Sequence, residues 1–142
     1  MGHDAATAVA EHLEGRGFEV VRCGAVAGGD TPWPVVAEEV ARLVAQGAVD
    51  TAVLCCWTGT GVSIAANKVP GVRAALCGDA ETARGARRWN DANLLALGLI
   101  NATPESVLPI VDAWLETADV DPAEQHNIDT VSQLERRYGM RP

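Results

Sequence analysis

No apolar run in this chain of 142 residues approaches the roughly 18 residues that a membrane-spanning helix requires. The N-terminus also lacks the charged-then-apolar pattern of a secretory signal. The cysteines Cys23, Cys55, Cys56 and Cys77 contain no Cys-x-x-Cys pair, and three of them sit in or at the end of apolar, strand-like runs. Free cysteine in such runs behaves as a small hydrophobe, so a reduced, cytoplasmic setting is expected rather than a disulfide framework. Cations are scarce: 11 Lys and Arg against 19 Asp and Glu leave a net charge of −8. That balance argues against a nucleic-acid partner or an anionic membrane surface. It leaves a small anionic ligand open, because one corner of an acidic protein can still be positive. A hydrophobic content of 48% with 21% charged residues describes an ordinary globular chain, expected to form one domain over 1–142.

Helical and strand-like patterns alternate. Residues 5–15 read as a helix with Val9 and Leu13 one turn apart, and residues 18–23 (Phe-Glu-Val-Val-Arg-Cys) as a strand. After a Gly- and Pro-rich loop, residues 35–46 place Val36, Val40, Leu43 and Val44 on one helical face. Strands are expected at 50–56, 72–77 and 94–98, with helices at 61–68 and 81–89 between them. Thr103-Pro104-Glu105 supplies an N-cap, a first-turn proline and an acid suited to the helix dipole, opening a helix to about 117. A last helix is expected over 124–138. This alternation implies an α/β fold with a parallel, doubly wound sheet, which binds ligands beyond the carboxyl ends of its strands. The chain opens directly on a helix, so the strand that normally begins such a fold is missing or lies upstream.

The most informative stretch joins a strand to a helix through a glycine-bracketed turn: Cys55-Cys56-Trp57-Thr58-Gly59-Thr60-Gly61-Val62-Ser63-Ile64-Ala65-Ala66-Asn67-Lys68. Free backbone N–H groups at such a corner favour negative charge. A cysteine there is expected to have a lowered pKa, because the same field favours the thiolate. Cys56 is therefore a candidate base or nucleophile beside a candidate oxyanion site. Strand alternation turns Cys55 away from it, into the core with Cys23 and Cys77.

This run, continued by Val69-Pro70-Gly71-Val72-Arg73-Ala74-Ala75-Leu76-Cys77, resembles the signature of the type B ribose-5-phosphate isomerase and galactose-6-phosphate isomerase family. Asn90-Asp91-Ala92-Asn93-Leu94-Leu95-Ala96-Leu97-Gly98 resembles that family's next block, N-D-A-N-V-L-A-L-G. The strong match spans about fifty residues, with weaker similarity over nearly the whole chain. The resemblance implies a flavodoxin-like, Rossmann-like three-layer sandwich that works as a homodimer or homotetramer, with its C-terminal helix in the oligomer contact. It further implies a small sugar as substrate, no metal, no cofactor, and aldose–ketose isomerisation through an enediolate. By the same resemblance Cys56 is the proton-transferring base, with Thr58 and His3 in the catalytic set. The backbone of Gly59, Thr60, Gly61, Val62 and Ser63 cradles the oxyanion. Asn67, Trp57, Trp89 and Asn90 fall in the blocks that surround the pocket. Another branch of the family places a glutamate base where this chain has Val62.

Departures from the pattern concern recognition. The Asp-His pair that handles the sugar hydroxyls is matched only by Gly2-His3-Asp4, and D-Y-P-D-Y-A becomes Pro32-Trp33-Pro34-Val35-Val36-Ala37. Trp89 stands where a ring-opening histidine is frequent, and Trp57 replaces a glycine. Ile100 occupies an arginine position, and Gln125-His126-Asn127-Ile128-Asp129 retains only the histidine of an R-H-x-x-R segment. All three phosphate-binding arginines are therefore expected to be lost; Arg87 and Arg88 could supply replacement charge, while Arg84, Arg87 and Arg88 read most simply as a solvated face. The sequence thus predicts an isomerase acting on a small sugar, unphosphorylated or carrying a carboxylate. The alternative is a non-catalytic, ligand-binding subunit of a hetero-oligomeric isomerase. A cysteine hydrolase ranks last, since no histidine is placed as its base.

Overall fold

The structure, a computed structural model, describes residues 2–139, with Gly2 and His3 described only as backbone. Nine principal elements follow one another: α1 (Gly2–Gly15), α2 (Trp33–Ala45), β1 (Ala52–Cys56), α3 (Thr60–Ala66), β2 (Ala74–Leu76), α4 (Ala80–Asn90), β3 (Leu94–Gly98), α5 (Pro104–Glu116) and α6 (Gln125–Tyr138). Three helices begin where local chemistry favours it. Pro34 lies in the first turn of α2, where its missing N–H costs no hydrogen bond. Asp79 caps α4 by accepting from the Thr82 N–H at 2.7 Å. Thr103 and Ser106 exchange side-chain bonds with each other's backbone N–H to form a capping box at the start of α5.

The strands form one parallel sheet in the order β1-β3-β2. β3 is central, with its apolar residues buried on both faces, as a parallel strand covered by helices requires. Alternation divides it: Leu95 and Leu97 join Val111 and Trp114 in a core under α1, α4 and α5. Leu94 and Ala96 join Leu54 and Val62 in a second core under α2 and α3. Trp114 is fully buried, its indole N–H donating to Thr51 Oγ1 at 2.9 Å. The Arg87 guanidinium lies 4.9 Å over the same ring and donates to the carbonyls of Thr117 and Ala92 at 2.9 and 2.8 Å. Arg87 is therefore occupied in joining α4 to α5 and does not belong to a solvated face. Among the described residues no helix is long and apolar enough to cross a membrane.

One expected strand is absent. Residues 18–23 run without a ladder, although Phe18, Val20 and Val21 give the segment a strand's composition. A parallel strand exists only in a pair, and β1 is hydrogen-bonded only to β3 among the described residues. Two further expectations shorten: the strand at 72–77 contracts to Ala74–Leu76, and the helix at 61–68 to the two turns of Thr60–Ala66.

Candidate active site

β1 and β3 are neighbours, yet the chain leaves β1 for α3 on one face and leaves β3 for α5 on the other. A crevice must open where adjacent loops part in opposite directions, and Cys56 and Gly98 face each other across it as the last register pair of the two strands. The two loops are tied at their base by backbone alone. The Leu99 N–H donates to the carbonyls of Cys56 and Trp57 at 2.9 and 3.0 Å, and the Ile100 N–H to the Trp57 carbonyl at 2.8 Å.

Cys56 has a specific partner: the Gly59 N–H donates to its Sγ at 3.2 Å. This turn is available only to glycine. Gly59 holds φ at +77°, and a Cβ there would lie 2.9 Å from Gly98 N and from Leu97 C. Gly98 is equally constrained, because a Cβ on it would meet the Thr58 carbonyl oxygen at 2.7 Å. Past the turn, the Ser63 N–H bonds the Gly59 carbonyl at 3.3 Å. The N–H groups of Thr60, Gly61 and Val62 fall in the first turn of α3, where the helix offers them no acceptor of its own. The Thr58 and Thr60 hydroxyls bond each other at 2.7 Å above them. A sulfur, a run of backbone donors and a hydroxyl pair thus share one corner.

The other thiols are set apart. Burial, with the Cys56 thiol as a lesser cause, pushes Cys55 up to about 12. Burial and then Asp79 push Cys77 up to about 11. Cys23 is raised by burial and by Glu39. Cys55 packs with the α1/α5 core and Cys56 with the α2/α3 core, as strand alternation predicts.

The motif residues do not all gather at this corner. Trp57 is exposed beside Cys56. Asn67 lies at the opposite, amino end of the sheet, where its amide pairs with the Ala74 backbone, donating to O at 3.0 Å and accepting from N at 2.8 Å. Trp89 and Asn90 end α4, just ahead of β3, and so share that amino end. There they line a groove of about 830 Å³ against α6, whose Val131, Leu134 and Tyr138 are exposed. The side chain of His3 lies outside the described residues.

Two contributors escaped the sequence reading. Trp33 lays its ring against Gly61, where a Cβ would come within 2.9–3.3 Å of three ring carbons, and half of the residue stays exposed. An exposed tryptophan between two prolines at a helix start was the available signal. Asn101 is one of two non-glycine residues at positive φ (+59°) among the described residues, and lines a cleft of about 540 Å³ beside Thr58.

The fold thus gathers a thiol and backbone donors at the switch point of a parallel sheet. The sequence profile of the Ribose/Galactose Isomerase family matches residues 1–131, and the chain belongs to that family. Ribose-5-phosphate isomerase B of Escherichia coli is 39% identical over 129 residues, covering 91% of this chain and 87% of that protein. The D-erythrulose-4-phosphate isomerase of Pectobacterium atrosepticum is 36% identical over 80% of this chain and 75% of its own. The structure of ribose-5-phosphate isomerase B from Clostridium thermocellum superposes with a TM-score of 0.87 at 36% identity, covering 96% of this chain and 94% of that one.

Proposed function

We propose that this chain interconverts an aldose and its ketose, with Cys56 as the base. The thiolate of Cys56 removes the proton from C2 of the open-chain aldose, and the C1 carbonyl accepts the electron pair to give an enediolate. The backbone donors of Thr60, Gly61 and Val62 bear the negative oxygen. The Thr58–Thr60 hydroxyl pair carries a proton from O2 to O1. The thiol returns its proton to C1 and the C2 carbonyl forms, so no atom or electron is gained or lost. The observation that carries this reading is the Gly59 N–H on Cys56 Sγ at 3.2 Å, next to donors outside the helical ladder. Preorganised donors of this kind act on charge that develops in the transition state, while a positioned base supplies proton transfer.

The reading also requires two copies if Trp89 and Asn90 serve the same site. β3 spans about 13 Å at the usual rise per residue, and these residues precede its start whereas Cys56 lies level with its end. A second chain presenting its amino-end groove, α6 included, to the Cys56 corner would bring them together.

Hydrogen–deuterium exchange at C1 and C2, followed by NMR across free, phosphorylated and acidic sugars, tests the chemistry. Exchange with at least one sugar, lost in Cys56→Ala, is the expected result. Binding without exchange across the whole panel would refute the catalytic reading and favour the non-catalytic subunit. Mixing Cys56→Ala with Asn90→Ala tests the shared site. Random reassortment of two-fold dimers restores roughly a quarter of wild-type activity if sites are shared, and none if they are not.

A further inference from the structure

The cleft beside Thr58 contains no charge. It covers about 540 Å³ at the carboxyl ends of β2 and β3, and every residue lining it is uncharged. Its polar groups are neutral ones, Thr58, Asn101 and Ser106, set among Leu76, Ile100 and Val107. Cys77 also lines it, and burial keeps that thiol protonated near neutral pH.

The side chains of the surrounding rim add negative charge. The loops at this end of the sheet are 57–63, 77–82 and 99–106, and Trp33 brings 24–34 to them through Gly61. Together they hold Asp30, Asp79, Glu81 and Glu105 and not one lysine or arginine. Lys68, the only lysine in the sequence, lies at the opposite end of the sheet. In the amino-end groove Lys68 and Arg73 are matched by Glu124 and Glu135. Arg73 is already held by the carbonyl and carboxylate of Asp91, at 2.6 and 3.4 Å.

We infer that this cleft takes the non-reacting end of an uncharged sugar, so that the chain selects free sugars over sugar phosphates and sugar acids. The inference rests on the isomerase reading of Cys56 for the position of the reacting end. An ion pair to a phosphate needs a guanidinium or ammonium group, and among the described residues none lines this cleft. A neutral polyol asks instead for hydroxyl and amide partners on one side and apolar surface on the other, and the cleft supplies both. Leu76, Ile100 and Val107 are that apolar surface.

The test compares aldopentoses with their 5-phosphate esters, by exchange kinetics for turnover and by calorimetry for binding. The expected result is kcat/KM for the free sugar at least tenfold above that of its ester. Ile100→Arg, at a half-exposed position on the cleft wall, should raise kcat/KM for the ester at least tenfold and lower that for the free sugar. Cys56-dependent turnover that favours the ester overturns the inference and leaves the isomerase reading intact. Preferential binding of the free sugar without exchange does the reverse. A chain that binds neither compound, or an Ile100→Arg variant whose preference is unchanged, also overturns it.

Discussion

Replacing Gly59 by alanine separates two costs that the structure superimposes. The first is conformational: φ of +77° lies where an L-residue with a Cβ costs about 1 kcal/mol or more. The second is steric. The added Cβ falls 2.4 Å from Leu76 Cδ1, which can swing aside, and 2.9 Å from Gly98 N and Leu97 C, which belong to the central strand and cannot. Relieving such an overlap in packed surroundings costs about 1–3 kcal/mol, for a total near 3 kcal/mol. For a chain of this size that corresponds to a melting temperature lowered by roughly 10 °C. The loop is the softer partner, so it lifts and carries the Gly59 N–H off Cys56 Sγ, and a displacement of this order costs the reaction up to about a hundredfold. Gly47→Ala is the control. Its φ is +72° but nothing lies within 4 Å of its Cβ, so only the conformational cost remains and exchange kinetics stay at the wild-type level. Thermal melts read by circular dichroism and the deuterium-exchange assay measure both terms. If Gly59→Ala melted with Gly47→Ala and kept its exchange rate, the steric argument and the role of the turn would both fail.

Two other outcomes follow from the same geometry. At pH 8 the thiolate fraction is about one in ten thousand for Cys55 and one in a thousand for Cys77, from values of about 12 and about 11. Iodoacetamide followed by peptide mass spectrometry should therefore mark Cys56 well before either, and early modification of Cys55 would contradict its burial. On the helical face, Asp112 accepts from His12 Nε2 at 2.6 Å and Arg16 at 2.8 Å, and the His12 bond first, then Arg16, lowers its pKa. A lowered carboxylate pKa contributes stability that is present above the unfolded value and lost as pH falls through the folded one. Asp112→Asn should thus cost about 0.5–1 kcal/mol at pH 7 in urea unfolding, with the deficit shrinking below about pH 4. A deficit equally large at pH 2 would point to packing instead.

Much of this was legible in the chain, and the failures share a cause. β3 matches its expected span because a central strand buried on both faces is apolar without interruption, and the start of α5 was written in Thr103-Pro104-Glu105. Residues 18–23 carried the same composition and failed, because a strand is defined by a neighbour that composition does not supply. Cys56 was marked by its turn. Trp33 on Gly61 joins residues far apart in sequence, and only tertiary packing brings them together. Asn67, Trp89 and Asn90 fall in motif blocks near Cys56 in sequence, and within one chain they lie at the amino end of the sheet, since a residue just ahead of a parallel strand lies at the end opposite a residue just after one.

The stitch between the loops of Cys56 and Gly98 uses only main-chain groups, from the amides of Leu99 and Ile100 to the carbonyls of Cys56 and Trp57. Such a joint is indifferent to the side chains it carries. The side chains at 57 and 100 can therefore change without moving the Cys56 sulfur. The surface around that sulfur is free to vary while its own position stays fixed by the main chain.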